Sequence, residues 1–403
     1  MTHFVVFGEP FDFAERAHRR FAHSTVTLVV EASRVGRTTG VDTVDAVIEV
    51  ADAAHDPDAL SEAVARRGPT PTHVVALVDH LALLAARFAE RTGLVFHSVA
   101  TITAIGDKGA MRRRLAGDPD LAVRSAMAHD EASLRTAAAA IGFPLVVKPS
   151  DSTGSQGVSV LRSEDGLSAA GERALAVSAA VLVEEFLDGP QYSVEAFSED
   201  GTHVVLAVTR KYSDPRTLVE MGHVLPADLP DAVRTEFAER TRRLLRTLGL
   251  RYGPSHTEFV LTERGPVPLE THARVGGDDI YLMVADGRGV DMDALQVEQI
   301  FGDRVLDRLV PVQRSAQAIW FGAAEEASSF RMPDDSAEPT TTAVVWLRRD
   351  SAPALRSSGD RVLQVRAEAS TAASALEAAR SHAEQLARAA GLSPRLTRLD
   401  ELV

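Results

Sequence analysis

The chain has no cysteine, which excludes disulfide scaffolding, a cysteine nucleophile and thiolate metal sites. It has no asparagine either, and only three of its 43 basic residues are lysines: Lys108, Lys148 and Lys211. Arginine serves nearly everywhere that a generic positive charge would suffice. Each lysine therefore marks a place to look for a compact ammonium rather than a planar guanidinium fork. Lys148 stands out, because it interrupts an otherwise apolar strand run. No apolar stretch approaches the ~20 residues needed to span a bilayer. The residues after Met1 lack the basic lead and cleavage pattern of a signal peptide. Membrane insertion is not expected, and a cytoplasmic location is. Positive charge is in deficit, with 57 acidic against 43 basic residues and a net charge of −14, which argues against a general nucleic-acid partner.

What is present suggests two or three domains in 403 residues. Strand-like segments at residues 3–8, 25–30 and 73–78 alternate with helical patterns at 11–22 and 79–92. That βαβα rhythm predicts a parallel sheet covered by helices. It lacks the glycine-rich dinucleotide fingerprint near its first strand, so its expected part is to frame a substrate cleft. Helices are expected at 107–116 and 131–140, and strands at 145–148, 158–162, 181–183, 191–198 and 203–210. An amphipathic helix covers 229–248, followed by strands at 256–261 and 266–271. Strands at 316–321 and 340–346 and a helix at 372–389 close the chain. The expected fold class is α/β and α+β. A parallel α/β domain covers 1–100, a nucleotide-binding and catalytic region 101–310, and a smaller α+β domain 311–403.

Three segments could carry chemistry. After the strand bearing Lys148 comes a loop with Ser152, Thr153, Gly154, Ser155 and Gly157. Its glycines allow close turns, and its N–H and hydroxyl groups can surround phosphate oxygens. It lacks the Gly-Lys-Ser/Thr ending of a Walker loop, and read alone it is equally a structural turn. Glu184 and Glu185 lie where a strand meets a connection, with Leu187 just beyond. The backbone there can receive an adenine amino group, and a carboxylate there can bind ribose. Glu258 and Glu270 lie on successive strands, with His256 sharing a face with Glu258, and His272 and Arg274 sharing one with Glu270. Facing carboxylates suit Mg²⁺ held against phosphates, and Arg274 could stabilise oxygen charge. The plain alternative is a pair of solvated charged strands. Gly276 and Gly277 follow, making a turn that can approach a ligand. Asp278 and Asp279 next to them are read as a helix N-terminal cap.

Together these residues resemble the ATP-grasp superfamily, above all its carboxylate–amine and amino-acid ligases, with the nucleotide fold running over about 108–310. The resemblance implies ATP and Mg²⁺ as cofactors, with Mn²⁺ as a substitute. It makes Lys108 and Lys148 the phosphate lysines, 151–158 the mobile phosphate lid, and the stretch around Glu184, Glu185 and Leu187 the adenine hinge. Glu258 and Glu270 become the acidic metal pair, and His272 takes the place of the family's usual asparagine. Arg274, Lys148 and Lys211 are the catalytic candidates. His223, His256, Arg274, Gly276 and Gly277 are the substrate candidates, although His223 has a structural reading and Lys211 that of a strand-end charge. The implied reaction joins a small carboxylate or amino acid to an amine through an acyl phosphate, releasing ADP and phosphate. A homodimer is the family's usual arrangement. The alternatives are an ATP-grasp carboxylase using bicarbonate and a non-enzymatic ATP-binding protein.

Overall fold

The structure is a computed structural model that describes residues 1–51, 56–151, 156–332 and 342–393. The chain opens with β1 (His3–Phe7), α1 (Phe13–Arg20), β2 (Thr25–Glu31), β3 (Ala46–Val50), α2 (Pro57–Ala65), β4 (His73–Ala76) and α3 (Ala82–Thr92). The four strands form a parallel sheet in the order β3-β2-β1-β4. Both its faces are covered, which explains why β1 is buried throughout and β2 is buried from Val26 to Val30. The expected parallel sheet is borne out. Its edge strand β4 runs toward the rest of the molecule and ends just before Asp79.

Next come α4 (Val99–Gly106), α5 (Lys108–Leu115), β5 (Ser125–Ala128), α6 (Glu131–Ile141), β6 (Leu145–Pro149), β7 (Ser159–Leu161), α7 (Leu167–Leu175) and β8 (Val181–Glu185). Asp107 caps α5 by accepting from the Ala110 amide, and so fixes Lys108 at the helix's first position. The strands form a small antiparallel sheet, β5-β8-β6-β7. Val147 and Val183 pack into a core with α6 and α7. The alternation of the strands turns Val146, Lys148 and Glu184 the other way, toward a cleft.

The largest sheet is antiparallel. It contains β9 (Gln191–Glu199), β10 (Thr202–Ser213), β11 (Glu220–Leu225), β12 (Gly253–Thr262) and β13 (Gly265–His272). Between β11 and β12 runs α8 (Asp231–Leu248), and after β13 come α9 (Ile280–Arg288) and α10 (Met292–Ile300). Beyond them are β14 (Ala316–Gly322), β15 (Ser328–Ser329), β16 (Thr342–Trp346), β17 (Ser351–Ala352), β18 (Leu363–Ala369) and α11 (Ala372–Ala389). The eight-stranded order is β13-β12-β9-β10-β11-β14-β18-β16, while β15 and β17 pair separately. The same sheet thus continues across residue 310.

Helix α8 keeps its expected place and ends at Gly249, whose φ of 81° supplies the left-handed turn. Its Phe237 packs on Tyr192, Val194 and Phe259, one face of the sheet. Burying Phe237 completely contributes about 1.5–3 kcal/mol. The opposite face carries Glu195, His256, Glu258, Glu270 and His272 in adjoining rows. At its far end Ile280, Met283 and Val284 of α9 seal that face against Leu225, Ile319 and Phe321. Among the described residues no helix is long and apolar enough to cross a membrane.

Strands β11 and β14 meet at a tight point. A Cβ on Gly222 would lie 2.3 Å from the Trp320 ring and 2.9 Å from the Ile319 carbonyl oxygen. Gly222→Ala should therefore destabilise the fold by about 1–3 kcal/mol, measured as a drop in the denaturation midpoint; an unchanged midpoint would contradict this packing.

Candidate nucleotide and acyl-transfer site

The cleft is organised around two carboxylates. Glu258 on β12 pairs directly across from Glu270 on β13, and His256 pairs across from His272. The register shifts just after Glu258, where Phe259 faces Pro268 and Leu269 is left over. This bulge sets Glu258 and Glu270 on one face and turns the Pro268 and Leu269 carbonyls toward α5. Arg112 engages both, donating Nη1–H to the Pro268 oxygen at 3.0 Å and Nη2–H to Leu269 at 2.9 Å.

Two like charges facing across strands repel, so each needs a cation. Lys108 lies 2.9 Å from Glu270. Lys211 pairs with Glu258, and also with Glu220 at 3.2 Å. Burial pushes the Glu258 carboxyl up, but the Lys211 ammonium and the His256 hydrogen bond outweigh it and hold the group at about 2. Glu270 is likewise held well below the usual carboxylate range, with Lys108 and His272 overcoming burial. Both are therefore ionised oxygen donors.

The small sheet supplies the opposite wall. Glu184 is buried with Arg112 at 2.9 Å on one oxygen and Lys148 on the other. Burial opposes its ionisation, but Arg112 and Lys148 bring it down to about 2. Its carboxylate thus positions Lys148 and is not free for ribose. The Glu185 carboxylate is also occupied, accepting from the Arg124 amide and from Arg264. At this hinge the backbone near Glu185 and Leu187 remains the group that can meet a base. A 170 Å³ cavity lies between the two sheets, lined by Lys108, Lys148, Leu187, Glu258 and Glu270 among others.

A second cavity, of 500 Å³, opens on the side of the N-terminal sheet. Lys108 and Glu270 line it as well, together with Asp79, His272 and Arg274. Asp79 Oδ2 accepts from His272 Nδ1 at 3.0 Å and from Arg274 Nε at 2.7 Å. His272 Nε2 lies 3.4 Å from Glu270. Burial disfavours the imidazolium, but Asp79 and Glu270 together raise its pKa. With carboxylates at both nitrogens, His272 is a hydrogen-bond donor rather than a metal ligand. Glu258 and Glu270 are the hard oxygen donors that remain. That suits Mg²⁺, which takes one or two carboxylates and completes its shell with water and phosphate oxygens. Among the described residues no group of three or more histidines and acids is gathered as a metal cage.

Other sequence candidates lie behind the cleft. His256 has both nitrogens engaged: Nδ1 sits 2.8 Å from buried Glu195 and Nε2 3.4 Å from Glu258. Burial alone would lower its pKa, yet Glu195 and Glu258 bring it up to about 9. A Cβ on Gly276 would fall 2.9 Å from His256 Nδ1, so that glycine is needed for close backbone approach, whereas Gly277 faces open space. His223 is buried against Asp278 at 3.2 Å. Among the described residues His223, His256 and Lys211 line neither cavity. Gly157 has a φ of 72° and packs beside Pro149. Ser152, Thr153, Gly154 and Ser155 lie outside the described residues.

The cap expected from Asp278 and Asp279 is not what forms. Asp279 stands at the N-cap of α9 in the left-handed region without a side-chain capping bond. Asp278 instead takes a bidentate grip from Arg361 at 2.6 and 2.7 Å, and Gln364 donates to Asp279 at 2.6 Å. Sequence reasoning also missed Arg112 and Asp79. Signals existed for both: Arg112 is four residues after Lys108 on one helix face, and Asp79 follows the C-terminal end of a parallel strand, where ligands gather. For Arg361, 83 residues from Asp278, there was none.

Residues 141–281 match the family model for the ATP-grasp domain. An uncharacterized protein of Sinorhizobium fredii is 33% identical over 206 residues, covering 49% of this chain and 42% of the relative. A D-alanine–D-alanine ligase of Cupriavidus metallidurans is 28% identical over 195 residues, covering 46% and 59%. The chain thus spans about half the length of these curated relatives. An L-amino acid ligase structure from Bacillus licheniformis superposes with a TM-score of 0.78 over 99% of both chains at 18% identity. A biotin carboxylase domain from Hydrogenobacter thermophilus, in complex with MgADP and bicarbonate, gives 0.68 over 97% of this chain and 90% of that one at 16% identity.

The buried Glu184 bridge yields a direct test. Glu184→Gln leaves Lys148 and Arg112 without their anion, so stability should fall by about 3–5 kcal/mol in urea denaturation, and a loss below about 1 kcal/mol would show the bridge to be dispensable. Residues 141–281 match the ATP-grasp domain, and the chain as a whole shares its fold with the L-amino acid ligase structure over 99% of its length.

Proposed function

We propose that the protein is an ATP-dependent ligase that activates a carboxylate as an acyl phosphate and passes the acyl group to an amine. The observation that carries this reading is the position of Lys108 and Glu270, which line both cavities at once. A nucleotide on the small-sheet side and an organic acid on the Arg274 side would meet across that pair.

In this reading Lys148 and Lys108 bind the phosphates, and the backbone beside Glu185 and Leu187 orients the base. Glu258 and Glu270 would hold Mg²⁺, which neutralises phosphate charge when bound. A substrate carboxylate oxygen attacks the terminal phosphorus; the bond to the bridging oxygen breaks, and ADP leaves with that electron pair. The amine then attacks the acyl carbon, forming the C–N bond; the C–O bond to the phosphate breaks, phosphate leaves with that electron pair, and the nitrogen loses a proton to solvent. Arg274 and Lys108 face the oxygens on which charge gathers, so orientation and preorganised charge supply the acceleration. Asp79 holds Arg274 through Nε and the Val275 carbonyl accepts from its Nη1, which leaves Nη2 for the substrate. The substrate class is a small carboxylic or amino acid with an amine or amino-acid acceptor, and a cytoplasmic enzyme fits it.

Purified protein with ATP, Mg²⁺ and a library of amino acids and small acids should release ADP in step with a product of mass acid plus amine minus water. Glu270→Gln should lower that turnover by about 10²–10³-fold with the fold retained by circular dichroism. ADP release that requires bicarbonate would redirect the reading to carboxylation, and nucleotide binding without turnover across the library would overturn it.

A further inference from the structure

The cavity beside Arg274 is not the end of the cleft. Behind it, between the N-terminal sheet and the far end of the central sheet, lies a further cavity of 530 Å³. Ala76, Phe96 and His97 line both spaces. The two therefore meet across one thin wall, built from the end of β4 and the coil after α3. Its volume lies within the ~300–1,000 Å³ usual for small-molecule sites.

His97 makes the wall more than a packing gap. Its Nδ1 is sealed from solvent and has no hydrogen-bond partner among the described residues. An unsatisfied buried nitrogen is unfavourable, and a turn of the ring toward the cavity would give it a partner on a bound guest. Burial pushes the imidazole down to about 4, so the ring offers a neutral donor or acceptor.

The lining also says what it would refuse. Each lining carboxylate already has a cation beside it: Arg304 lies 3.4 Å from Glu199, which also accepts from the Val305 amide at 2.8 Å, Arg251 lies 3.6 Å from Asp200, which also accepts from Tyr252 at 2.9 Å, and Arg20 lies 4.0 Å from Asp303. A charged guest would lose its hydration and find no free counter-charge. Leu94, Phe96 and Ile300 give it apolar walls.

We infer that the substrate cleft continues past Phe96 and His97, and that the rear cavity seats the side chain of one organic substrate, a large uncharged group with a hydrogen-bonding function such as a phenol, indole or carboxamide. The chemistry rests on the ligase reading above; the cavity's occupancy does not. The experiment compares alanine, glutamine, tyrosine, tryptophan, lysine and glutamate as substrates by ADP release, with equilibrium binding of L-tyrosinamide and L-tryptophanamide measured by calorimetry alongside. Glutamine, tyrosine or tryptophan should exceed lysine and glutamate in kcat/KM by tenfold or more. Val95→Trp alters a rim residue that is 75% exposed, so the fold should tolerate it while the cavity fills. It should cut the tryptophan-to-alanine ratio of kcat/KM at least tenfold, and His97→Leu should shrink the preference for tyrosine over phenylalanine. If no pair releases ADP, amide binding to the unmodified protein that weakens tenfold in Val95→Trp still supports the site. A preference for lysine or glutamate, an unmoved ratio in Val95→Trp, or no binding where turnover is also absent would overturn it.

Discussion

Two carboxylates that face each other across adjacent strands set the terms for the rest of the cleft. Glu258 and Glu270 pair in register, an arrangement that like charge makes costly. The surrounding chain answers with Lys211 on one and Lys108 on the other, and an imidazole two residues away on each strand adds to both. Glu195 in turn holds His256, and Asp79 holds His272. The result is an alternating network of acids and bases on one sheet face, while the other face is filled by α8.

The same demand ties the three parts of the molecule together. Lys108 begins α5, Arg112 on the next turn fastens both the β13 bulge and Glu184, and Glu184 presents Lys148 from the small sheet. Asp79 reaches the network from the N-terminal sheet. Buried ion pairs of this kind contribute little net stability compared with apolar packing, since desolvation cancels much of their attraction. What they fix is geometry: two lysines and two carboxylates around one cleft, and an arginine in the wall of the neighbouring cavity.

Much of this was legible in the sequence because it is local. The long helix α8 and the alternation in β9 and β12 follow from apolar spacing, and the facing of Glu258 and Glu270 follows from a short hairpin. The scarcity of lysine pointed to Lys108, Lys148 and Lys211, all three of which are paired with acids of the cleft. What stayed hidden depends on distant partners. Strand β11 reads Glu-Met-Gly-His-Val-Leu, with no clean alternation, because α9 and β14 bury it from elsewhere. Asp278 looks like a helix cap until Arg361 arrives from another part of the chain. Glu184 looks like a surface acid until Arg112 closes over it. A strand-end glutamate does not announce that its partner lies 72 residues earlier.

The most direct test of the charge-balanced cleft is a double-mutant cycle on Lys108 and Glu270. Mg²⁺-dependent ADP affinity would be measured in the unmodified protein, Lys108→Met, Glu270→Gln and the double variant, with folding checked for each. If the two groups act as one charge-balanced unit, the double variant should lose less than the sum of the single losses, with a coupling of at least about 1 kcal/mol. Additive losses would mean that each binds nucleotide independently, and would contradict the shared role of the facing carboxylates and their lysines.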